Sequence, residues 1–133
     1  MVWRTAKVNN ALPHSTEHPE LYDGVAHGDG HCVALVQRAC KAPHTSQWKQ
    51  GEHVLSSGND LFGHVIAVFD DDGNYANALD GSSHAAIFIE RRGGDGVKVL
   101  DQWKGRPADY RIIRNKNGVG PACDDASRYY VVE

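Results

Sequence analysis

This 133-residue chain has little of what marks several common classes of protein. No apolar run approaches the roughly 20 residues that a transmembrane helix requires. Its net charge of −3 argues against a nucleic-acid-binding protein, which usually carries a concentrated basic surface. Three cysteines are too few for a disulfide scaffold, and they lack the C-x-x-C spacing of a structural zinc site. Length and composition therefore favour one compact domain over residues 1–133.

The first ten residues lack the apolar stretch of a secretory signal peptide. We therefore expect a protein that is made in the cytoplasm and that either stays there or leaves by a route without a cleaved signal. We expect neither membrane insertion nor a nucleic-acid partner. Residues 1–27 carry scattered apolar positions broken by two prolines, which predicts a mostly irregular segment.

The pattern along the chain is helical first and then strand-like. Residues 31–41 have the spacing of an amphipathic helix, with Val36 and Ala39 on the same face as Cys32. From residue 53 onward, short β-rich runs alternate with turns. The predicted strands are 64–69, 84–90, 97–103, 111–114 and 129–132, with an irregular loop over 115–126. One N-terminal helix packed on an antiparallel sheet is an α+β layout.

Cys32 lies where a glycine-rich loop, residues 28–30, runs into the predicted helix. A thiol at a helix N-terminus is close to unpaired N–H groups and the positive end of the macrodipole, which favour the nucleophilic thiolate. Taken alone, the residue could equally be a small buried hydrophobe. Cys40 and Cys123 could form a disulfide and leave Cys32 free, although connectivity cannot be deduced from sequence.

Two further residues could complete a catalytic site around this sulfur. His84 opens a predicted strand, and Asp101 lies across the following hairpin, where its carboxylate could hold one imidazole nitrogen while the other faces Cys32. The residues alone leave two alternatives open. His64 also opens a strand, and Gln102 is as polar as its neighbour but points to the opposite face.

Four segments resemble the papain-like amidases of the NlpC and CHAP families. In those families a G-x-C-V sequence opens the helix, a strand that begins with histidine brings the base, and an acidic or amide residue follows one hairpin later. The segments here are Gly30–Gln37, Ser46–Gly51, Gly81–Ile89 and Val99–Trp103. More closely, residues 28–133 resemble the third family of type VI secretion amidase effectors.

The resemblance implies a papain-like fold and a cysteine amidase or endopeptidase that hydrolyses peptidoglycan through a thioester, as an antibacterial toxin. It implies Cys32 as nucleophile and His84, rather than His64, as base. Asp101 would orient the histidine, with Gln102 as a possible substitute. The cross-link between D-alanine and diaminopimelate is favoured over the γ-D-glutamyl bond. The resemblance implies no cofactor and no metal.

The resemblance also implies three partners, namely peptidoglycan, the type VI secretion machinery and a cognate immunity protein, with action in the periplasm of target bacteria. Trp48 and Trp103 could line the cleft, although large aromatic residues in small domains more often belong to the core. A catalytically inert wall-binding or partner-binding module on the same fold is the alternative function. A metal-binding protein, suggested by the eight histidines and three cysteines, is less favoured because the cysteines lack C-x-x-C spacing.

Overall fold

The computed structural model describes residues 14–93 and 95–133. In this part of the chain one α-helix packs on a six-stranded antiparallel sheet. The helix is α1 (Cys32–Cys40), and the strands are β1 (Gln50–His53), β2 (Val65–Val68), β3 (Ala85–Arg91), β4 (Gly96–Trp103), β5 (Arg106–Arg114) and β6 (Tyr129–Val132). Across the sheet their order is β1-β6-β2-β3-β4-β5. The expected α+β architecture is confirmed.

Helix α1 lies within one residue of its predicted bounds. It buries one face, which includes Leu35, Val36 and Ala39, against the centre of the sheet. Lys41 adopts a left-handed conformation with φ of 56°, which ends the helix just before Pro43. The N-terminus of the helix lies beside the start of β3, in the middle of the sheet.

The centre of the sheet is buried on both faces. Along β2, Val65 and Ala67 pack in the core on the side of the helix, whereas Ile66 and Val68 pack in a second core on the other side. Among the described residues, irregular segments and short 3₁₀ turns, rather than a helix, cover this second face. The apolar run of β2 is therefore explained by its central position in a covered sheet.

Two strands differ from the sequence predictions. β1 was not predicted because its polar, partly exposed residues show no alternation, and it pairs with β6 at one edge of the sheet. β5 begins at Arg106 instead of residue 111 and includes Pro107. β5 forms the opposite edge, where a proline costs little because one side of the strand needs no hydrogen-bond ladder.

The segment before the helix is largely irregular over residues 14–27, apart from a 3₁₀ turn at Pro19–Tyr22 and a bridge between Ser15 and His64. The rest of the predicted irregular segment, residues 1–13, lies outside the described residues. Of the helices described, none is long and apolar enough to cross a bilayer.

Candidate active site

The Cys32 thiol is half-buried at the first residue of α1 and lines a cleft of about 710 Å³. The helix starts without a side-chain cap on its first turn. Asp29 instead accepts a hydrogen bond from the backbone N–H of His31 at 3.0 Å, which stabilises the turn before the helix. The start of the helix therefore presents backbone N–H groups and a sulfur to the cleft.

Gln102 fixes the loop that leads into Cys32. Its side chain is fully buried, and its Oε1 accepts from the backbone N–H of His27 at 2.9 Å. Its Nε2 donates to the carbonyl oxygens of His27 and His31 at 2.9 and 2.8 Å. The amide is fully used by this loop, so the structure does not support Gln102 as a substitute for Asp101.

His84 and Asp101 form a buried pair next to the thiol. The Nε2 atom of His84 lies 2.8 Å from Oδ2 of Asp101, and the two residues are 5% and 0% exposed. Because Nε2 is engaged by the carboxylate, Nδ1 is the nitrogen that is left for Cys32. The structure thus brings together the three residues that the sequence singled out.

The pKa values of the thiol and the imidazole shift in opposite directions. Burial opposes ionisation of Cys32, but hydrogen bonding and charge from His84 outweigh it, and the pKa of the thiol is lowered. Burial also opposes the imidazolium, yet the hydrogen bonds to Asp101 and Cys32 raise the pKa of His84 to about 9. Both shifts favour a thiolate–imidazolium pair near neutral pH.

Two arginines that the sequence analysis did not assign to the site donate hydrogen bonds to Asp101. Arg106 Nη1 donates to the backbone oxygen and to Oδ1 of Asp101 at 2.8 and 3.1 Å, and Arg111 Nε donates to Oδ2 at 2.9 Å. Burial alone would raise the pKa of this carboxyl, but His84 and Arg111 lower it. Arg111 also binds Asp124 at 2.9 Å, which joins this network to the cleft wall.

The two tryptophans occupy different places. Trp103 lines the cleft, meets the His84 ring edge-on at 6.3 Å between centroids, and lies under the guanidinium groups of Arg106 and Arg111 at 4.3 and 5.3 Å. It therefore shields the histidine–carboxylate contact from solvent. Trp48 is only 4% exposed and packs in the core on the side of the helix, so the expectation that it lines the cleft is wrong.

Tyr75 contacts the sulfur, and no sequence motif pointed to it. Its hydroxyl lies 3.6 Å from the Sγ atom of Cys32, and its ring packs 4.7 Å from that of Trp48. Tyr75 follows an acidic turn in a segment without helix or strand, so its place beside the thiol depends on tertiary packing alone.

The alternative histidine and the other cysteines lie in different surroundings. His64 is buried, and its Nδ1 faces the carbonyl oxygens of Leu61 and Phe62. Cys40 is buried in the core, and Cys123 is half-buried in the cleft wall. Both are free thiols, so the disulfide between them that the sequence left open is not formed.

The rest of the cleft combines charged and polar side chains with apolar ones, among them Val33, Ala34 and Leu79. Lys104 donates to the backbone oxygen of Asp29 at 3.0 Å, and both residues line the cleft. Within residues 14–93 and 95–133, no group of three His, Cys, Asp or Glu side chains is arranged to hold a metal ion. The chemistry that the arrangement supports is nucleophilic attack by a thiolate with an imidazole for proton transfer.

Comparison with known proteins gives consistent matches. The family model of domesticated amidase effector 2 matches residues 4–132. The chain is 32% identical over 126 residues to the type VI secretion amidase effector 2 protein of Salmonella typhi, covering 85% of this chain and 92% of that protein. It is 36% identical over 106 residues to domesticated amidase effector 2 of Ixodes scapularis, covering 77% of this chain and 70% of that protein.

A solved structure of type 6 secretion amidase effector 2 is also similar. It superposes with a TM-score of 0.80 at 28% identity and covers 92% of this chain and 95% of that one. These matches confirm the resemblance to type VI amidase effectors and the papain-like fold. The family model and all the matched proteins are named amidase effector 2, whereas the sequence motifs resemble those of the third family of type VI amidase effectors.

Proposed function

This chain belongs to the domesticated amidase effector 2 family, and we propose that it hydrolyses amide bonds of peptidoglycan by a cysteine mechanism. Family membership supports a type VI secreted antibacterial amidase. The observation that carries the cysteine mechanism is the position of His84, which lies against Cys32 with one nitrogen and against Asp101, at 2.8 Å, with the other. A buried structural cysteine would have no need of such a pair.

The reaction begins with attack of the Cys32 thiolate on a peptide carbonyl carbon. The negative charge moves to the carbonyl oxygen, where the backbone N–H of Cys32 at the helix N-terminus can stabilise it. The His84 imidazolium then protonates the leaving amine as the C–N bond breaks, and a thioester on Cys32 remains. Asp101 keeps the imidazole oriented and stabilises its charge.

Hydrolysis of the thioester regenerates the enzyme. Neutral His84 takes a proton from water as the water oxygen attacks the thioester carbonyl. Collapse of the tetrahedral intermediate breaks the C–S bond, releases the carboxylic acid and restores the thiolate beside the imidazolium. The cycle uses only residues of this chain and water.

The bond that we propose is the cross-link between D-alanine and diaminopimelate. The resemblance of residues 28–133 to the third family of type VI amidase effectors supports the choice. Cleavage there converts cross-linked muropeptide dimers into monomers with intact stems. Cleavage of the γ-D-glutamyl bond would instead release shortened stems, so product masses distinguish the two.

The test is digestion of purified peptidoglycan, with the products separated and weighed by mass spectrometry. We expect wild-type protein to remove dimers, and Cys32→Ala to leave them intact. Cys40→Ala, on the same helix, is the matched control and should digest like the wild type. Shortened stems would refute the cross-link, and digestion by Cys32→Ala would refute the cysteine mechanism.

We also propose that the protein acts in the periplasm of target cells and that a cognate immunity protein occludes the cleft around Cys32. Peptidoglycan lies outside the cytoplasmic membrane, so expression in the bacterial cytoplasm should leave cells intact. Fusion to an export signal should lyse them unless Cys32 is replaced by alanine. Lysis by the exported Cys32→Ala variant would contradict this proposal.

A further inference from the structure

Tyr75 reaches the reactive sulfur from the interior of the protein. Its side chain is 9% exposed, and its hydroxyl lies 3.6 Å from Sγ of Cys32. The ring packs against Trp48 and Phe69, with centroids at 4.7 and 6.4 Å. Trp48 is itself anchored, because its Nε1 donates to the carbonyl oxygen of Pro43 at 3.0 Å. The hydroxyl is therefore held against the sulfur by a packed aromatic cluster.

The ionisation state of Cys32 decides the direction of this hydrogen bond. A thiol can donate to the phenol or accept from it, whereas a thiolate can only accept. Burial, together with the charge of the neighbouring thiolate, raises the pKa of Tyr75, so the phenol keeps its proton when Cys32 loses its own. The O–H group must then point at the sulfur.

We propose that Tyr75 is a catalytic residue that donates a hydrogen bond to the Cys32 thiolate and keeps it ionised at neutral pH. This role rests on the proposed function, in which the thiolate is the nucleophile. A half-buried thiolate has lost part of its hydration, and it stays charged only if protein donors replace the lost water. His84 supplies the charge, and Tyr75 supplies a neutral donor whose position is fixed in advance.

The hydroxyl of Tyr75 acts on the resting enzyme more than on the transition state. Attack moves the negative charge from the sulfur to a carbonyl oxygen in the cleft, so the hydrogen bond to sulfur weakens as the reaction proceeds. A thiolate with a lower pKa is also a weaker nucleophile. Loss of the hydroxyl should therefore slow the reaction only at pH values where too little thiolate is present.

The test is the pH profile of Cys32 alkylation by iodoacetamide, measured by mass spectrometry of the modified peptide. Tyr75→Phe removes only the hydroxyl. We expect the acid limb to move up by about one pH unit, a tenfold change in the acid constant, while the plateau rate stays the same or rises slightly. Tyr110→Phe, on β5, is the matched control and should leave the profile unchanged.

Two results would overturn the proposal. An acid limb that stays in place in Tyr75→Phe would mean that the hydroxyl does not support the thiolate. A lower plateau at unchanged limb would mean that it acts on the transition state instead. If Tyr75→Phe does not fold, 3-fluorotyrosine in place of all five tyrosines gives a stronger donor and should move the limb down; an unmoved limb would again refute the role.

Alkylation requires no peptidoglycan, so the two proposals fail separately. A shifted limb in a protein whose wild type leaves peptidoglycan intact would refute the proposed function and keep the assignment of Tyr75. If the acid limb of Tyr75→Phe does not move but the wild-type protein digests peptidoglycan through Cys32, the role of Tyr75 is refuted and the proposed function stands.

Discussion

The two ends of helix α1 carry the same residue in opposite chemical states. Cys40, at the C-terminal end, is 2% exposed, and burial raises the pKa of its thiol to about 12. Cys32, at the N-terminal end, is half-buried, and although burial raises the pKa of a thiol there too, the pKa of Cys32 is lowered. Burial alone therefore makes a thiol inert, and the difference must come from what surrounds each sulfur.

The surroundings differ in charge and in donors. Cys40 contacts apolar side chains and the carbonyl oxygen of Gly63, which can accept but not donate. Cys32 faces the His84 imidazole and the Tyr75 hydroxyl, and it also lies at the positive end of the helix dipole. The helix positions the thiol of Cys32 and places it at the positive end of the helix dipole. His84, just before β3, and Tyr75, in the segment after β2, supply the other groups that favour the thiolate.

Replacing each cysteine tests the comparison most severely. Cys32→Ala should lower the rate of peptidoglycan hydrolysis by at least about 10⁴-fold, because it removes the nucleophile. Cys40→Ala should keep the wild-type rate and lose about 1 kcal/mol of unfolding free energy through a small cavity. Muropeptide release and urea denaturation measure the two quantities. Equal losses of activity in both variants would remove the distinction between the two ends.

Neutralising Asp101 should have the next largest effect on activity. Asp101→Asn leaves the histidine without a charged partner, and we expect a rate about a hundredfold lower, with an alkaline limit that falls below about pH 9 because the pKa of His84 drops. The variant also leaves two arginines without their buried carboxylate, which should cost about 3 kcal/mol of stability.

Asp109→Asn is the matched control for this change, because Asp109 pairs with Asp101 across the β4–β5 hairpin and is exposed. It should leave both rate and stability nearly unchanged. A loss in Asp101→Asn as large as that in Cys32→Ala would contradict an orienting role, since orientation should cost less than removal of the nucleophile.

Replacing Gln102 tests whether the hydrogen bonds that hold the loop before Cys32 are needed for activity. Gln102→Met removes three hydrogen bonds to the loop before Cys32 and leaves the backbone N–H of His27 unpaired. We expect about 2 kcal/mol of lost stability and a roughly tenfold lower rate, because the nucleophile is less well positioned. Gln47→Met, on the surface, should change neither; wild-type kinetics in Gln102→Met would show that the loop needs no such anchor.

The opposite shifts in the pKa values of Cys32 and His84 should cancel in the pH dependence of the unfolding free energy. Between about pH 7 and about pH 8.5, the unfolded chain holds one proton on the Cys32–His84 pair, on the thiol. The folded chain also holds one, on the imidazole, where the pH lies above the lowered pKa of Cys32 and below that of His84, which is raised to about 9. Equal proton counts mean that this pair adds no pH dependence to the unfolding free energy.

In Cys32→Ser, the contribution of His84 to the pH dependence of the unfolding free energy is no longer cancelled by that of Cys32. The folded variant loses the contribution of the thiolate to the pKa of His84 but keeps the hydrogen bond to Asp101, so the imidazole still binds a proton that the unfolded chain does not bind. Stability should therefore fall as pH rises, by up to about 1.4 kcal/mol per pH unit. The loss ends once the pH passes the folded pKa of His84. Urea denaturation at several pH values measures it, and parallel curves for variant and wild type would contradict the claim that Asp101 raises the pKa of His84.

The parts of the site that are close in sequence or joined by one hairpin were predictable. A glycine-rich loop followed by an apolar helical pattern located Cys32. A histidine at a strand start one hairpin before Asp101 suggested the pair, and the family resemblance was needed to choose His84 over His64. Because the register of an antiparallel hairpin fixes which residues of its two strands lie opposite each other, the sequence of one hairpin predicts which of its side chains are close in space. The same logic predicted the fold class, together with most of the strands.

The rest depends on contacts between distant segments. Tyr75 comes from an irregular stretch, and Arg106 and Arg111 reach Asp101 from a strand whose first half was not predicted. Gln102 was noticed as a polar neighbour, but only the packed structure shows that its amide holds the loop before Cys32. The spacing of residues along the sequence does not predict any of these contacts, because the tertiary structure decides which side chains from distant segments meet.

The central claim is that one thiol of three performs the chemistry. Stepwise alkylation with iodoacetamide near neutral pH tests it directly, with the modified fraction of each cysteine read by mass spectrometry and the remaining hydrolysis of peptidoglycan measured on the same samples. We expect activity to fall in proportion to modification of Cys32 while Cys40 remains unmodified. Full activity after complete modification of Cys32, or a Cys32 that fails to react, would contradict the account and favour an inert binding module.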